Sequence, residues 1–215
     1  MSKKLSILCL FTAIILCSCG DKSVNTNDDF KTITIDSMTW MLNNLDVSTY
    51  NNGDVIPEVK DSAAWSKLTT GAWCYYNNDP ATGKTYGKLY NWFAVNDKRG
   101  LAPKGWHIAS DEEWTKLSAY FGSDTISAGK LKEKDTLHWA SPNNSGNESG
   151  FTALPDGYRL GLGGFYSLGV TGHFWTSTEY NELAAWLRYM SHRDERMRRF
   201  YADKFNGNSV RCVKD

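Results

Sequence analysis

The sequence predicts an α+β domain: a loop-rich, mixed and mostly antiparallel sheet with two short helices. Three observations predict it. Strand-like alternation occurs at residues 32–35 and again in short stretches from residue 157 to residue 213. A helix is marked at both ends between residues 110 and 122. Clusters of Gly, Asn and Asp break the remaining chain into loops, while nine Trp and eleven Tyr supply large apolar bodies with polar tips. Strands, then helices, then a strand-rich second half is the order of an α+β domain.

The chain opens as an exported protein. Lys3 and Lys4 precede an apolar run over residues 5–16, and Leu16-Cys17-Ser18-Cys19 follows. A charged start, a short apolar core and small residues before a cut make a secretory signal. The run is shorter than the roughly 20 residues a membrane-spanning helix needs. Leu-x-Ser-Cys resembles the bacterial lipobox, which implies cleavage before Cys19, acylation of its thiol and a lipid tether. Residues 1–18 are then the lipoprotein signal peptide, residues 19–31 a polar flexible tether, and residues 32–215 one folded domain. The expected location is the cell envelope, lipid-anchored to the outer membrane on its surface or periplasmic face.

Cys9 and Cys17 leave with the signal and Cys19 is taken by lipid. Cys74 and Cys212 remain, an even pair in a compartment where disulfides persist. They are expected to form a disulfide between an early strand and the last one. The alternative is two separate buried thiols, since cysteine packs as a small hydrophobe.

Along the domain, Thr32-Ile33-Thr34-Ile35 is expected to pair with Met38-Thr39-Trp40-Met41-Leu42 across an Asp36-Ser37 turn. Residues 50–57 and 77–87 read as loops. Residues 89–93 form a compact aromatic segment and predict a short helix. Ser110-Asp111-Glu112-Glu113 is a capping box, after which Trp114, Leu117 and Phe121 recur on one face. The acidic residues there complement the helix dipole and read as structural. A second short helix is expected over residues 126–132. Beyond Gly150 come short strands at 157–159, 165–167, 174–176, 185–190, 197–201 and 209–213, separated by turns.

The usual signatures of chemistry are missing from the sequence. His107, His138, His173 and His192 are not spaced as zinc ligands, and no Cys-x-x-Cys occurs. The glycines of residues 157–164 lack the Gly-x-Gly-x-x-Gly order, and no Gly-x-Ser-x-Gly elbow occurs. No catalytic residue, metal or cofactor is expected, and the chain reads as a non-enzyme. Its net charge of zero gives no field for a nucleic-acid partner.

One segment reads as a binding face. Residues 188–201 mix five arginines with aromatic and acidic side chains, and Arg and Tyr are enriched at interaction hot spots. The ligand-binding candidates are Arg188, His192, Arg193, Asp194, Arg196, Arg198, Phe200 and Tyr201. Alternation puts Arg196, Arg198 and Phe200 on one side of a strand and Met197, Arg199 and Tyr201 on the other. The alternative is a solvated hairpin whose charges protect a sheet edge.

Several motifs carry a resemblance to a known family. They are Thr39-Trp40-Met41 with Asn44-Leu45, Trp73-Cys74-Tyr75-Tyr76-Asn77-Asn78, and Tyr86-Gly87-Lys88-Leu89-Tyr90-Asn91-Trp92. Leu101-Ala102-Pro103-Lys104-Gly105-Trp106-His107 runs into Ser110-Asp111-Glu112-Glu113-Trp114, and Gly129-Lys130-Leu131-Lys132 follows. Next come Asn147-Glu148-Ser149-Gly150-Phe151-Thr152-Ala153-Leu154-Pro155 and Phe174-Trp175-Thr176-Ser177-Thr178-Glu179, and then Ser209-Val210-Arg211-Cys212-Val213. In this order they resemble the Fibrobacter succinogenes major paralogous domain family, whose members are often lipoproteins of the Bacteroidetes and Fibrobacteres. Cys74 and Cys212 fall on the family's recurrent cysteines.

The resemblance implies a C-type-lectin-like, formylglycine-generating-enzyme-like fold. The enzyme branch of that fold uses reactive cysteines near its C-terminal end, where this chain has Cys212 alone. The sugar-binding branch uses Glu-Pro-Asn or Trp-Asn-Asp to hold calcium, and neither triplet occurs here. In similar proteins diversified by retroelements the late hairpin binds ligand, and it corresponds to residues 187–203. The function expected is a non-enzymatic envelope lipoprotein that binds a glycan or protein ligand through this hairpin. The alternative is a structural or assembly subunit of a cell-surface complex.

Overall fold

The computed structural model describes residues 30–215. The signal peptide, the Cys19 lipidation position and most of the tether therefore lie outside the described residues. β1 (Thr32–Ile35) pairs antiparallel with β2 (Met38–Met41) as the alternation predicts, with Ile35 opposite Met38. Asp36 turns the chain at a φ of 54°, a left-handed position that Asp tolerates. There follow α1 (Ser62–Trp65), β3 (Trp73–Cys74), a 3-10 turn (Tyr76–Asn78), α2 (Pro80–Tyr86), β4 (Leu89–Tyr90) and α3 (Trp92–Val95). Then come β5 (Trp106–Ile108), α4 (Asp111–Tyr120) and α5 (Ser127–Leu131). The strand-rich half holds β6 (Tyr158–Arg159), β7 (Phe165–Tyr166), β8 (Thr171–Glu179), β9 (Ala184–Ser191), β10 (Met197–Asp203), β11 (Ser209–Val210) and β12 (Cys212–Lys214).

The fold is α+β, with five short α-helices among the described residues rather than two. Most of the segment expected to be a loop at residues 77–87 is α2. Asp79 caps it by accepting from the Ala81 amide, and Pro80 occupies the first turn, where its missing N–H costs nothing. Gly83 disguised this helix. A Cβ there would lie 2.1 Å from the Tyr75 ring, so the glycine serves side-chain packing rather than a turn. The segment 89–93, expected to be one helix, splits into β4 and α3 at Asn91. The Asn91 carboxamide oxygen caps α3 through the Ala94 amide and also accepts from the Ala72 amide. α4 has the capping box read from the sequence. Ser110 accepts from the Glu113 amide, and Glu113 accepts from the Ser110 amide at 2.7 Å.

Two four-stranded sheets organise the domain. One has the order β1-β2-β12-β5, so the chain's last strand closes against its first hairpin, Val213 facing both Trp40 and His107. The other has the order β10-β9-β8-β11, antiparallel except for the parallel β8–β11 pair. This second sheet is packed on both faces. Trp175, Leu187 and Val210 enter one apolar cluster with Trp92, Trp106 and Cys212. Phe174, Met190 and Met197 enter another with Trp40, Trp114 and Phe151. In that second cluster Trp114 lies 5.1 to 5.7 Å from Trp40, Phe151 and Phe174. Each such aromatic pair adds about 1 kcal/mol beyond the area it buries.

The expected Cys74–Cys212 disulfide is corrected by the structure, in which both are free, buried thiols. They sit in different clusters: Cys74 with Trp65, Tyr76 and Leu89, and Cys212 with Trp106, Trp175 and Leu187. Burial pushes the Cys74 thiol up to about 11 and the Cys212 thiol further, so both stay protonated at neutral pH.

Candidate functional site

The hairpin expected to bind ligand is formed by β9 and β10, with Met190 opposite Met197 and Ala184 opposite Asp203. Arg188 does not belong to its surface. β9 lies between β8 and β10 with an apolar cluster on each face, so alternation offers Arg188 no solvent side. Its side chain is fully buried. Its Nε and Nη2 donate to Asp111 Oδ1 at 3.1 and 2.8 Å, and Nη2 also donates to Thr115 Oγ1 at 2.6 Å. Asp111 Oδ2 accepts in turn from Arg199 Nε at 2.8 Å. The first turn of α4 is thus fastened to two strands by one carboxylate. His192 is also corrected. It occupies the turn after β9 but is folded inward and only 8 % exposed.

The remaining candidates reach the surface. Arg193 and Arg196 are exposed and have no carboxylate partner among the described residues. Asp194 is clasped by Arg198, whose Nη1 and Nη2 donate to it at 2.9 and 2.5 Å. That contact holds the Asp194 carboxyl below its ordinary value. Phe200 and Tyr201 are about half exposed.

These two rings belong to a belt that the sequence did not disclose. On one side Tyr166, Tyr158, His173 and Tyr189 form a column, with centroids 5.8, 4.6 and 5.3 Å apart. Phe200 meets Tyr189 edge-on at 6.3 Å and lies parallel to Tyr201 at 5.3 Å. Tyr201 stacks on Tyr180 at 4.4 Å, and Trp186 packs edge-on against both. Because β10 is an edge strand, the belt passes from one sheet face to the other around that edge. Two arginines cover parts of it: Arg198 lies 5.4 Å above Tyr189, and Arg199 lies 3.3 Å above Trp186. Desolvation among the rings pushes the His173 imidazole down to about 3, so it stacks as a neutral ring.

The signal for the belt was present but indirect. Tyr189 lay inside the arginine-rich segment, and Tyr180 directly follows the Trp175-Thr176-Ser177-Thr178-Glu179 motif. Tyr158 and Tyr166 are brought to it by the β6–β7 pair, in which they are opposite each other. A concavity of about 420 Å³ lies elsewhere and includes Thr70, Trp92, Phe93, Asn96 and Lys204. Its Lys204 ammonium is already held by Glu179 and the Glu182 carbonyl. Among the described residues no group of three or more His, Cys, Asp or Glu is placed to hold a metal ion. No helix among them is long and apolar enough to cross a membrane.

The model of the Fibrobacter succinogenes major domain matches residues 33–214. No curated protein and no solved structure matches the chain.

Proposed function

The chain belongs to the Fibrobacter succinogenes major domain family, and from that footing we propose that it is a non-enzymatic, lipid-anchored protein of the outer membrane that binds a glycan on its β9–β10 hairpin. The observation that carries this reading is the aromatic belt. Phe200, Tyr201, Tyr180 and Tyr166 are 43 to 55 % exposed in a single connected array. Tyr offers large, rigid, amphipathic contact area at low entropic cost. A sugar ring carries apolar C–H faces edged by hydroxyls, which suits phenol rings bordered by guanidinium donors. A C-type-lectin-like fold is part of the proposal. It is supported by the closure of β12 on β2 and by the separate sheet that carries the late hairpin.

The test uses the full-length protein in detergent against extracted envelope polysaccharides. Replacing Tyr180, Phe200 and Tyr201 together by alanine is expected to weaken binding by tenfold or more, hot-spot aromatics contributing about 2 kcal/mol or above. The circular dichroism should be unchanged, because these rings lie outside the buried clusters. Undiminished binding by the triple variant sinks the reading, and binding to envelope proteins in place of polysaccharides redirects it to a protein ligand. The anchor is tested separately: Cys19→Ser is expected to move the chain from the membrane fraction to the soluble fraction.

A further inference from the structure

The hairpin tip, residues 192–196, carries more free positive than negative charge, because one of its two carboxylates is paired by an arginine from outside the tip. The Ser191 and Asp194 carbonyls turn inward and accept from Lys132 Nζ at 2.8 and 3.0 Å. The Glu195 carbonyl accepts from the Ala128 amide at 2.9 Å. The Asp194 carboxylate is saturated by both Arg198 Nη atoms and the Arg196 amide. The Glu195 side chain lies back along α5. A Cβ on Gly129 would sit 2.8 Å from its Cγ and 2.9 Å from its carboxyl carbon, so the bare glycine makes room for it.

What remains is two guanidiniums against the single Glu195 carboxylate, which pairs with no cation among the described residues. The Arg193 and Arg196 guanidiniums have no carboxylate partner among the described residues. Beneath them Lys132 is 1 % exposed, faces the Trp139 ring at 5.1 Å and has no carboxylate within salt-bridge distance. Burial lowers its pKa to about 8, which still leaves it largely charged at neutral pH. His192 adds a second kind of observation. Its Nε2 accepts from Arg193 Nε at 3.3 Å, which leaves Nδ1 as the protonated nitrogen. That Nδ1 is buried without a partner among the described residues, and an orphaned buried donor is costly unless something else accepts from it.

We propose that this tip recognises an oxyanion on a glycan, the carboxylate of a uronic acid or a sulfate ester, with Arg193 and Arg196 as the contacting cations and Lys132 as the residue that positions them. The ligand class rests on the glycan reading of the belt, to which the tip is joined through Arg198 and Tyr189. Positioning matters because a loop already ordered by core donors loses little entropy on binding. Guanidinium pairs favour carboxylate and sulfate because two parallel N–H groups match two oxygens.

The test titrates the full-length protein in detergent with dextran, dextran sulfate and polygalacturonate at low salt. The expected result is at least tenfold tighter binding of an acidic polymer than of dextran, reduced by added salt. Arg193→Ala with Arg196→Ala should erase that preference and leave dextran binding unchanged. Lys98→Ala, which removes an exposed cation from another loop, should leave it intact. Lys132→Met should weaken the preference and raise hydrogen exchange at the amides of residues 193–196. If that variant fails to fold, the arginine pair still decides. Preference for dextran sulfate alone assigns a sulfate ester, and preference for polygalacturonate alone assigns a carboxylate. Equal affinity for neutral and acidic polymers, or a preference that survives loss of both arginines, overturns the inference. The belt variants then decide the glycan reading independently, since they should lose dextran as well. If no polymer binds at all, this inference falls, while the glycan reading is still decided by the envelope polysaccharides.

Discussion

Replacing Asp111 by alanine is expected to cost about 4 kcal/mol, because it leaves a buried guanidinium without its counter-ion. For a domain of this size that corresponds to a fall of roughly 10 °C in the thermal midpoint. Arg188 has no exposed surface, and three of its hydrogen bonds go to the carboxylate and carbonyl of Asp111. After truncation, the nearest remaining carboxylate oxygen is Asp124 Oδ1, 3.7 Å from Nη1. Nothing else on the face packed against α4 can neutralise the charge without moving the helix. Arg199 would lose the same partner but is partly exposed, so water screens it and its share is small. The asymmetry of the pair makes the argument testable. Arg188→Met fills the same space with an unbranched apolar chain and leaves Asp111 paired with Arg199, so it should cost less than Asp111→Ala. Denaturant titration of both variants decides it. If Asp111→Ala lies within 1 kcal/mol of the wild type, or if Arg188→Met is the worse of the two, the carboxylate is not the clasp described.

The same pair shows where sequence reasoning stops. The capping box at Ser110 is legible because its partners are three residues apart, and Asp111 fits there as a dipole-compatible residue of the first turn. Its larger role depends on a contact 77 positions away, which no local pattern encodes. Arg188 looked like surface because the segment around it is charged. Burial of β9 on both faces, a property of the assembled sheet, reversed that. The β1–β2 hairpin was legible for the opposite reason, being a local alternation around a two-residue turn. α2 was lost to a glycine that reads as a breaker, although Asp79-Pro80 is a helix-start signal. Of the proposed binding face, the exposure of Arg193, Arg196, Phe200 and Tyr201 was legible from residue type alone. The belt was not, since its rings come from β6, β7, β8, β9 and β10 and from the loop after β8. Nor was the tip, whose order depends on the carbonyls held by Lys132 and Ala128 and whose charge balance depends on Arg198 pairing with Asp194.

Arg211→Met is expected to be about as damaging as loss of Asp111, and its cost should grow with pH. Arg211 is buried between β11 and β12. It donates to Asn44 Oδ1 at 2.7 Å, to the Met41 carbonyl at 2.9 Å and to the Thr152 carbonyl at 3.2 Å. Asn44 relays the contact, its amide donating to Asp156 Oδ2 at 2.9 Å, while the His173 amide donates to Asp156 Oδ1 at 2.7 Å. Methionine matches the stem of the arginine but leaves these acceptors without a donor, a loss of about 1–3 kcal/mol for each one that finds no water. Burial raises the Asp156 pKa from 3.8 to about 7, against the opposing pull of the His173 amide, Asn44 and the Arg211 charge. A carboxyl raised in the folded state binds its proton longer there than in the unfolded chain. Its contribution is therefore fully present below pH 3.8 and is lost as pH rises through about 7. At pH 5 Asp156 is mostly neutral, and Arg211→Met costs only the orphaned acceptors. At pH 8 wild-type Asp156 is mostly ionised and is partly offset by Arg211, so the variant also loses that offset. Thermal melts of wild type and variant at the two pH values separate these terms. A larger difference at pH 8 than at pH 5, abolished when Asp156→Asn is combined with Arg211→Met, is the expected result. Equal differences at both pH values would mean that Asp156 keeps one protonation state across the range.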